Sequence, residues 1–240
     1  MKKIALILHG WPRPDENSLL FKYFKNKFYK IVCPYLFSDN FEFSSFEIIK
    51  QVQTSLRGIS PEVIVGISLG GLILPEVALN YPKTKLIFVA SGVSANPKSI
   101  LFRKLINVFS VSPLLPLAIK LPYPAHSELY SLFNPFYGDE RERAHYLQDK
   151  RLNLEAIKGI SPKKYREILL FITHVDNSAI FPNLTQKTLI ISCNKDPLMP
   201  VSEGEKLHRL IKNNKFIKTD RGHFEASNGY EIKEVNSFLK

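Results

Sequence analysis

The chain has 240 residues, 45% of them hydrophobic and 23% charged, enough to bury a core and too apolar for an unfolded chain. Lysine and arginine outnumber acidic residues 33 to 22 for a net charge of +11. The basic residues are scattered, as in Lys22, Lys25, Lys27 and Lys30 or Lys212, Lys215 and Lys218, with no nucleic-acid module around them, so the surplus reads as a solvated surface.

The N-terminal run Ile4 to Leu8 is too short for a secretory apolar region and leads into His9-Gly10 with no small-residue cleavage site, so it reads as a strand. No stretch reaches the roughly 18 apolar residues of a membrane span, so no stable membrane insertion is expected. Further short β-branched and aliphatic runs follow at Lys30 to Cys33, Val63 to Gly66, Leu86 to Ala90, Thr188 to Ser192 and Phe216 to Thr219. Near-continuous apolar character over about five residues marks strands covered on both faces. Between them, Leu19 to Phe28, Phe46 to Arg57, Gly71 to Asn80, Ser202 to Ile211 and Gly229 to Leu239 have helical spacing. Alternation of this kind predicts an α/β fold, a mostly parallel, doubly wound sheet of about six strands. Cys33 and Cys193 lie in or beside buried strands, which argues against a disulfide framework and for a reducing cytoplasm.

Residues 96–181 break the rhythm. They hold helix-like segments, Ile100 to Phe109 and Tyr165 to Val175, punctuated by Pro113, Pro116, Pro122, Pro124 and Pro135. A structureless loop of that length would be anomalous, so the stretch is expected to be a mostly helical cap inserted into a core made of residues 1–95 and 182–240. Its apolar segment Leu114 to Leu121 reads either as lining for an acyl cavity or as the cap's inner face.

Gly66-Ile67-Ser68-Leu69-Gly70 fits Gly-x-Ser-x-Gly and falls between a predicted strand and a predicted helix. An abrupt turn there strains the central serine and exposes its hydroxyl, while the flanking glycines let the backbone close on itself. It also sets the Leu69 amide at a helix N-terminus, where it can donate to a developing oxyanion. A serine hydroxyl needs a base, and the base a carboxylate that fixes its tautomer. Asp196 follows the fifth strand and His223 the sixth, so both share Ser68's sheet edge, where ligands bind in open α/β folds. Asp220 and Asp176 are rival acids, the first crowded against His223 in sequence, the second within the cap. A second oxyanion donor is expected after the first strand. Pro12 and Pro14 have no amide hydrogen, leaving Trp11 or Arg13, with Trp11 preferred and its ring a candidate wall of the acyl pocket. His9 reads as a structural holder of that loop. His126, His145, His174 and His208 lack metal-ligand spacing, and neither metal nor cofactor is required.

Together, His9-Gly10-Trp11, GISLGG at 66–71, NKDPLMP at 194–200 and DRGHF at 220–224 resemble the α/β-hydrolase superfamily, particularly the small serine esterases and thioesterases that include pimeloyl-carrier-protein methyl ester carboxylesterases. The resemblance covers Ile4 to Gly92 and Thr188 to Lys240. It implies Ser68 as nucleophile, Asp196 as acid, His223 as base, and Trp11 and Leu69 as oxyanion donors. The serine at the elbow disfavours the epoxide hydrolases and haloalkane dehalogenases of similar fold, which carry aspartate there. Two departures stand out: with the first strand expected at Ile4, no leading hairpin is expected before it, and the usual Asp-x-Pro-Gly-x-Gly after the second strand is replaced by Cys33-Pro34-Tyr35-Leu36-Phe37-Ser38-Asp39. The expected activity is hydrolysis of a small-molecule carboxylic ester with an apolar or medium-sized acyl group. Thioester or lactone hydrolysis, ligand binding without turnover and a membrane-surface protein using the apolar cap are the alternatives, and the basic surface suggests an acidic carrier protein as a further partner.

Overall fold

The computed structural model describes residues 3–27, 29–228 and 232–240, the Phe102 side chain excepted. Phe28, expected to end the first helix, and residues 229–231, expected to begin the last, lie outside the described residues.

Six strands, β1 (Ile4–Leu8), β2 (Lys30–Val32), β3 (Val63–Ile67), β4 (Lys85–Val89), β5 (Thr188–Cys193) and β6 (Asn214–Thr219), form one sheet of order β2-β1-β3-β4-β5-β6. Every neighbouring pair is parallel. This is the parallel α/β sheet expected from the alternation, in the α/β-hydrolase arrangement that the motif resemblance implies. Pleating sends alternate side chains to opposite faces. Leu6, Leu8, Ile64 and Phe88 enter one core, and Ala5, Ile7, Val65 and Ile87 enter the other. Burial on both faces is the physical reason the strands read as apolar runs rather than alternating ones.

Helices α1 (Leu19–Asn26), α2 (Ser45–Leu56), α3 (Leu69–Ala78), α9 (Val201–Leu210) and α10 (Ile232–Leu239) cover the sheet. Local chemistry sets several ends. The hydroxyls of Ser18 and Ser44 accept from the amides of Phe21 and Glu47, capping α1 and α2. At the other end of α2 the chain turns left-handed through Arg57 (φ 51°) and Gly58 (φ 78°).

The 96–181 stretch folds into α4 (Ile100–Val111), α5 (Leu115–Ile119), α6 (Tyr123–Phe133), α7 (Glu140–Gly159) and α8 (Pro162–His174). Helices α6 and α7 were not among the segments the pattern singled out. Over its 20 residues α7 buries Asp149, Lys150 and Asn153 beside Tyr146 and Leu154, so its inner face is largely polar and no apolar stripe announces it. Its start is fixed by local chemistry, because Asp139 and Glu142 form a reciprocal capping box. The 114–121 segment is divided. Leu115 and Ile119 pack with Leu169, Ile106 and Phe109 in a small core of their own, while Leu114 and Leu117 face outward.

Candidate active site

The strand order reverses direction at β1, with β2 on one side and β3 on the other, and the carboxyl ends of these strands are where such sheets bind ligands. Ser68 stands there, between β3 and α3, with φ 51° and ψ −118°, in the positive-φ region that side chains avoid. The turn is held by the Ser68 amide donating to Val89 O at 2.9 Å and by the Gly71 amide donating to Ser68 O at 2.9 Å. It also depends on bare backbone: a Cβ on Gly66 would sit 2.6 Å from Gly71 Cα and 2.9 Å from Gly70 O.

The structure brings the three distant residues together. His223 Nε2 lies 2.9 Å from Ser68 Oγ, and His223 Nδ1 lies 2.6 Å from Asp196 Oδ2. Asp196 is wholly buried, and its other oxygen accepts from the amides of Leu198 and Met199, each at 2.8 Å. Those two bonds orient the carboxylate and offset the cost of burying it. With Asp196 accepting at Nδ1, the neutral imidazole carries its proton there and turns a lone pair on Nε2 toward the hydroxyl. Burial acts most strongly on His223 and works against its charged form. The charge and hydrogen bond of Asp196, with the charge of Glu225, outweigh it and hold the pKa above the ordinary histidine value.

The rival acids lie elsewhere. Asp220 points to solvent and pairs with Lys195 at 2.9 Å. Asp176 forms an isolated bridge with Ser94 and accepts from the Ser178 amide.

The loop after β1 runs alongside Ser68, close enough that a Cβ on Gly10 would approach the Ser68 Cβ to 3.3 Å. His9 is 99% buried, and its ring holds this loop. Nδ1 donates to Gly10 O at 2.8 Å, and Nε2 accepts from the Leu36 amide at 3.1 Å. Burial depresses its pKa to about 4, so the ring stays neutral. The Trp11 ring packs edge-on against Phe37 and against Tyr165 of α8, which fixes the loop between sheet and helical layer. Leu69 begins α3, so its amide is among the first-turn donors that an α-helix leaves without an internal acceptor.

Sequence reasoning missed Glu225 and the contacts of α7. Glu225 is fully buried, and its carboxylate accepts from the Gly222 amide at 3.1 Å and the Tyr137 amide at 2.8 Å, tying the His223 loop to the helical layer. Arg221 adds an ion pair to Glu142 at 2.9 Å, and Phe224 packs on the rings of His145 and Tyr146. On the β1 side, the Arg13 guanidinium donates to Asp149, and Asp15 pairs with His145 at 3.3 Å. Burial and the charge of Asp15 push Asp149 up to about 6, against the opposing pull of Arg13. Helix α7 therefore clamps both loops that flank Ser68. Only the short Asp139–Glu142 and His223–Glu225 spacings hinted at these roles.

Fold and site together define an α/β-hydrolase. The family model described as serine aminopeptidase, S33, matches residues 42–224, and the chain belongs to this hydrolase family. The match includes helices α4 to α8, which the motifs did not reach, and leaves out residues 1–41 and 225–240. Solved structures of the same fold include an esterase from Exiguobacterium antarcticum, 18% identical with a TM-score of 0.69, covering 99% of this chain and 89% of that one. A bromoperoxidase from Bacillus anthracis is 16% identical with a TM-score of 0.75, covering 100% and 92%. The 2-hydroxy-6-oxo-6-phenylhexa-2,4-dienoate hydrolase of Rhodococcus sp. strain RHA1 is 15% identical with a TM-score of 0.71, covering 98% and 89%. No curated protein sequence matches the chain. Among the described residues no helix is long and apolar enough to cross a membrane.

Proposed function

We propose that the chain hydrolyses a carboxylic ester of an apolar or medium-sized acyl group through an acyl-enzyme on Ser68. The observation that carries this reading is the unbroken relay from Asp196 through His223 to Ser68, 2.6 and 2.9 Å in its two links. His223 Nε2 takes the hydroxyl proton as Ser68 Oγ attacks the acyl carbon. The resulting oxyanion is held by the amides of Leu69 and Trp11. His223 then protonates the departing alcohol as the C–O bond breaks, leaving the acyl group on Ser68. Water, deprotonated by His223, attacks that acyl group, and Ser68 leaves with the proton as the free acid departs.

An ester is preferred to a peptide because an aminopeptidase holds its substrate's ammonium group with a carboxylate. The buried carboxylates around this site, Glu225 and Asp149, already accept from protein donors. An apolar ring stands on the loop beside Ser68 instead, that of Trp11, which packs against Tyr165. The +11 net charge favours an acidic carrier protein as one bearer of the acyl group.

The test is turnover of p-nitrophenyl esters of increasing chain length, with one thioester, one lactone and one amino-acid p-nitroanilide, by wild type and Ser68→Ala. Ester turnover that Ser68→Ala abolishes supports the reading, and a preference for the thioester or lactone moves the substrate class while keeping the site. Absence of burst and turnover in the wild type removes it in favour of ligand binding. Carrier delivery predicts that turnover of a carrier-bound acyl group falls with salt while that of a free ester does not.

A further inference from the structure

The outer side of the helical layer presents an apolar surface that nothing among the described residues covers. Ile100, Leu101, Val108 and Val111 of α4, with Leu114 and Leu117 beside and on α5, are between 56% and 72% exposed. At about 100° per residue, positions 100, 101, 104, 108 and 111 fall within one arc of roughly 100°. The opposite face of α4 sends Ile106 and Phe109 into the small core with Leu115, Ile119 and Leu169. Helix α4 is thus apolar on two faces, and only one of them is used.

Charge tells what covers the other. No acidic residue occurs between Glu76 and Glu128, while Lys98, Arg103, Lys104 and Lys120 stand in or beside this surface. Arg103 donates to Asn96 Oδ1 and Lys98 to Asn194 O, both neutral oxygens, each at 3.0 Å. A second copy laid face to face would set these cations against their own equivalents, which is repulsive. A bilayer with anionic headgroups meets both demands, taking the aliphatic side chains at the acyl boundary while the amines reach phosphates above.

We propose that α4 and α5 form a docking surface for an anionic phospholipid bilayer, entered by Ile100, Leu101, Val108, Val111, Leu114 and Leu117, with Lys104 standing among them and Arg103 and Lys120 at the margin. Helix α4 packs on α8, whose Tyr165 packs on Trp11 beside Ser68, so the docked enzyme keeps its site one helical layer from the lipid. The proposal does not depend on the catalytic reading, although it supplies that reading with a source of apolar acyl esters.

The test is sedimentation of the full chain with vesicles of phosphatidylcholine alone or mixed with phosphatidylglycerol. The wild type is expected to sediment with the mixed vesicles and to be released by salt. The bound fraction is expected to fall about tenfold or more in the double variant Val111→Asp, Leu117→Asp, and several-fold in Lys104→Glu. Circular dichroism melting and hydrolysis of a water-soluble ester, both expected to be unchanged, show that the variants are folded. No sedimentation with either vesicle, or equal sedimentation of wild type and double variant, would overturn the proposal. So would a dimer in light scattering, or capture by an acidic carrier protein, that the same variants abolish while vesicles bind nothing. Vesicle binding without ester turnover would support the surface and refute the catalytic assignment.

Discussion

Replacing Asp196 by asparagine tests the site in a way its geometry makes unusually clean. One oxygen of Asp196 accepts from the amides of Leu198 and Met199, and the other accepts from His223. An asparagine can satisfy the two amides only by turning its carbonyl oxygen toward them, which presents its NH2 group to His223 Nδ1. The imidazole must then carry its proton on Nε2 and aim an N–H at Ser68, so it can no longer take a proton from the hydroxyl. Reversal of this kind in the serine hydrolase template lowers kcat by about four orders of magnitude, about 5 kcal/mol. Both amide bonds survive, so the melting temperature should move by no more than a few degrees. In Asp196→Ala the two amides lose their acceptor inside the protein, and stability should fall by about 1–3 kcal/mol for each. Turnover of a short p-nitrophenyl ester together with thermal melting of both variants reads the two effects separately. An Asp196→Asn enzyme within tenfold of wild type would refute the argument, because the base would then not depend on the tautomer Asp196 selects. In the wild type, kcat/KM should rise with pH through a pKa above 6.5, since Asp196 and Glu225 favour the imidazolium and only the neutral ring accepts a proton.

Other perturbations follow from named contacts. Gly66→Ala forces a methyl group against the Gly71 and Gly70 backbone, neither of which can yield, and should cost about 3 kcal/mol in denaturant unfolding along with most of the activity. His9 is held neutral down to about pH 4, whereas in the unfolded chain it takes up a proton near 6.5. The unfolded state therefore binds more protons between those values, and stability, complete above pH 6.5, should drop by about 3 kcal/mol as pH falls to 4. Urea unfolding across that range should show the drop in wild type and a much shallower one in His9→Asn. Asp149→Ala leaves Arg13 half-buried without its carboxylate and should lower stability by about 2–3 kcal/mol, seen as a lower melting temperature.

Much of this protein was written in short range. The four inner strands announced themselves because both their faces are buried, the edge strands β2 and β6 are more exposed, and the ends shifted by only a residue or two: β2 stops at Val32 rather than Cys33, and β6 begins at Asn214 rather than Phe216. The elbow at Ser68 and the loops that carry Asp196 and His223 were equally legible, since each is a local motif following a strand. Helix α7 was not, because its inward face is made of Asp149, Lys150 and Asn153, and a buried polar residue looks like a solvated one until its partner is known.

The amino-acid order by itself determined the alternation of strands and helices and the three loop motifs, because hydrophobic period and turn chemistry act over a few residues. Only the tertiary structure decided which carboxylate faces His223, that Glu225 braces its loop, that α7 joins Arg13 to Asp149, and which half of Leu114 to Leu121 is left outside. Those outcomes depend on groups up to 136 positions apart in the chain meeting at hydrogen-bond distance, and no local preference encodes such a meeting.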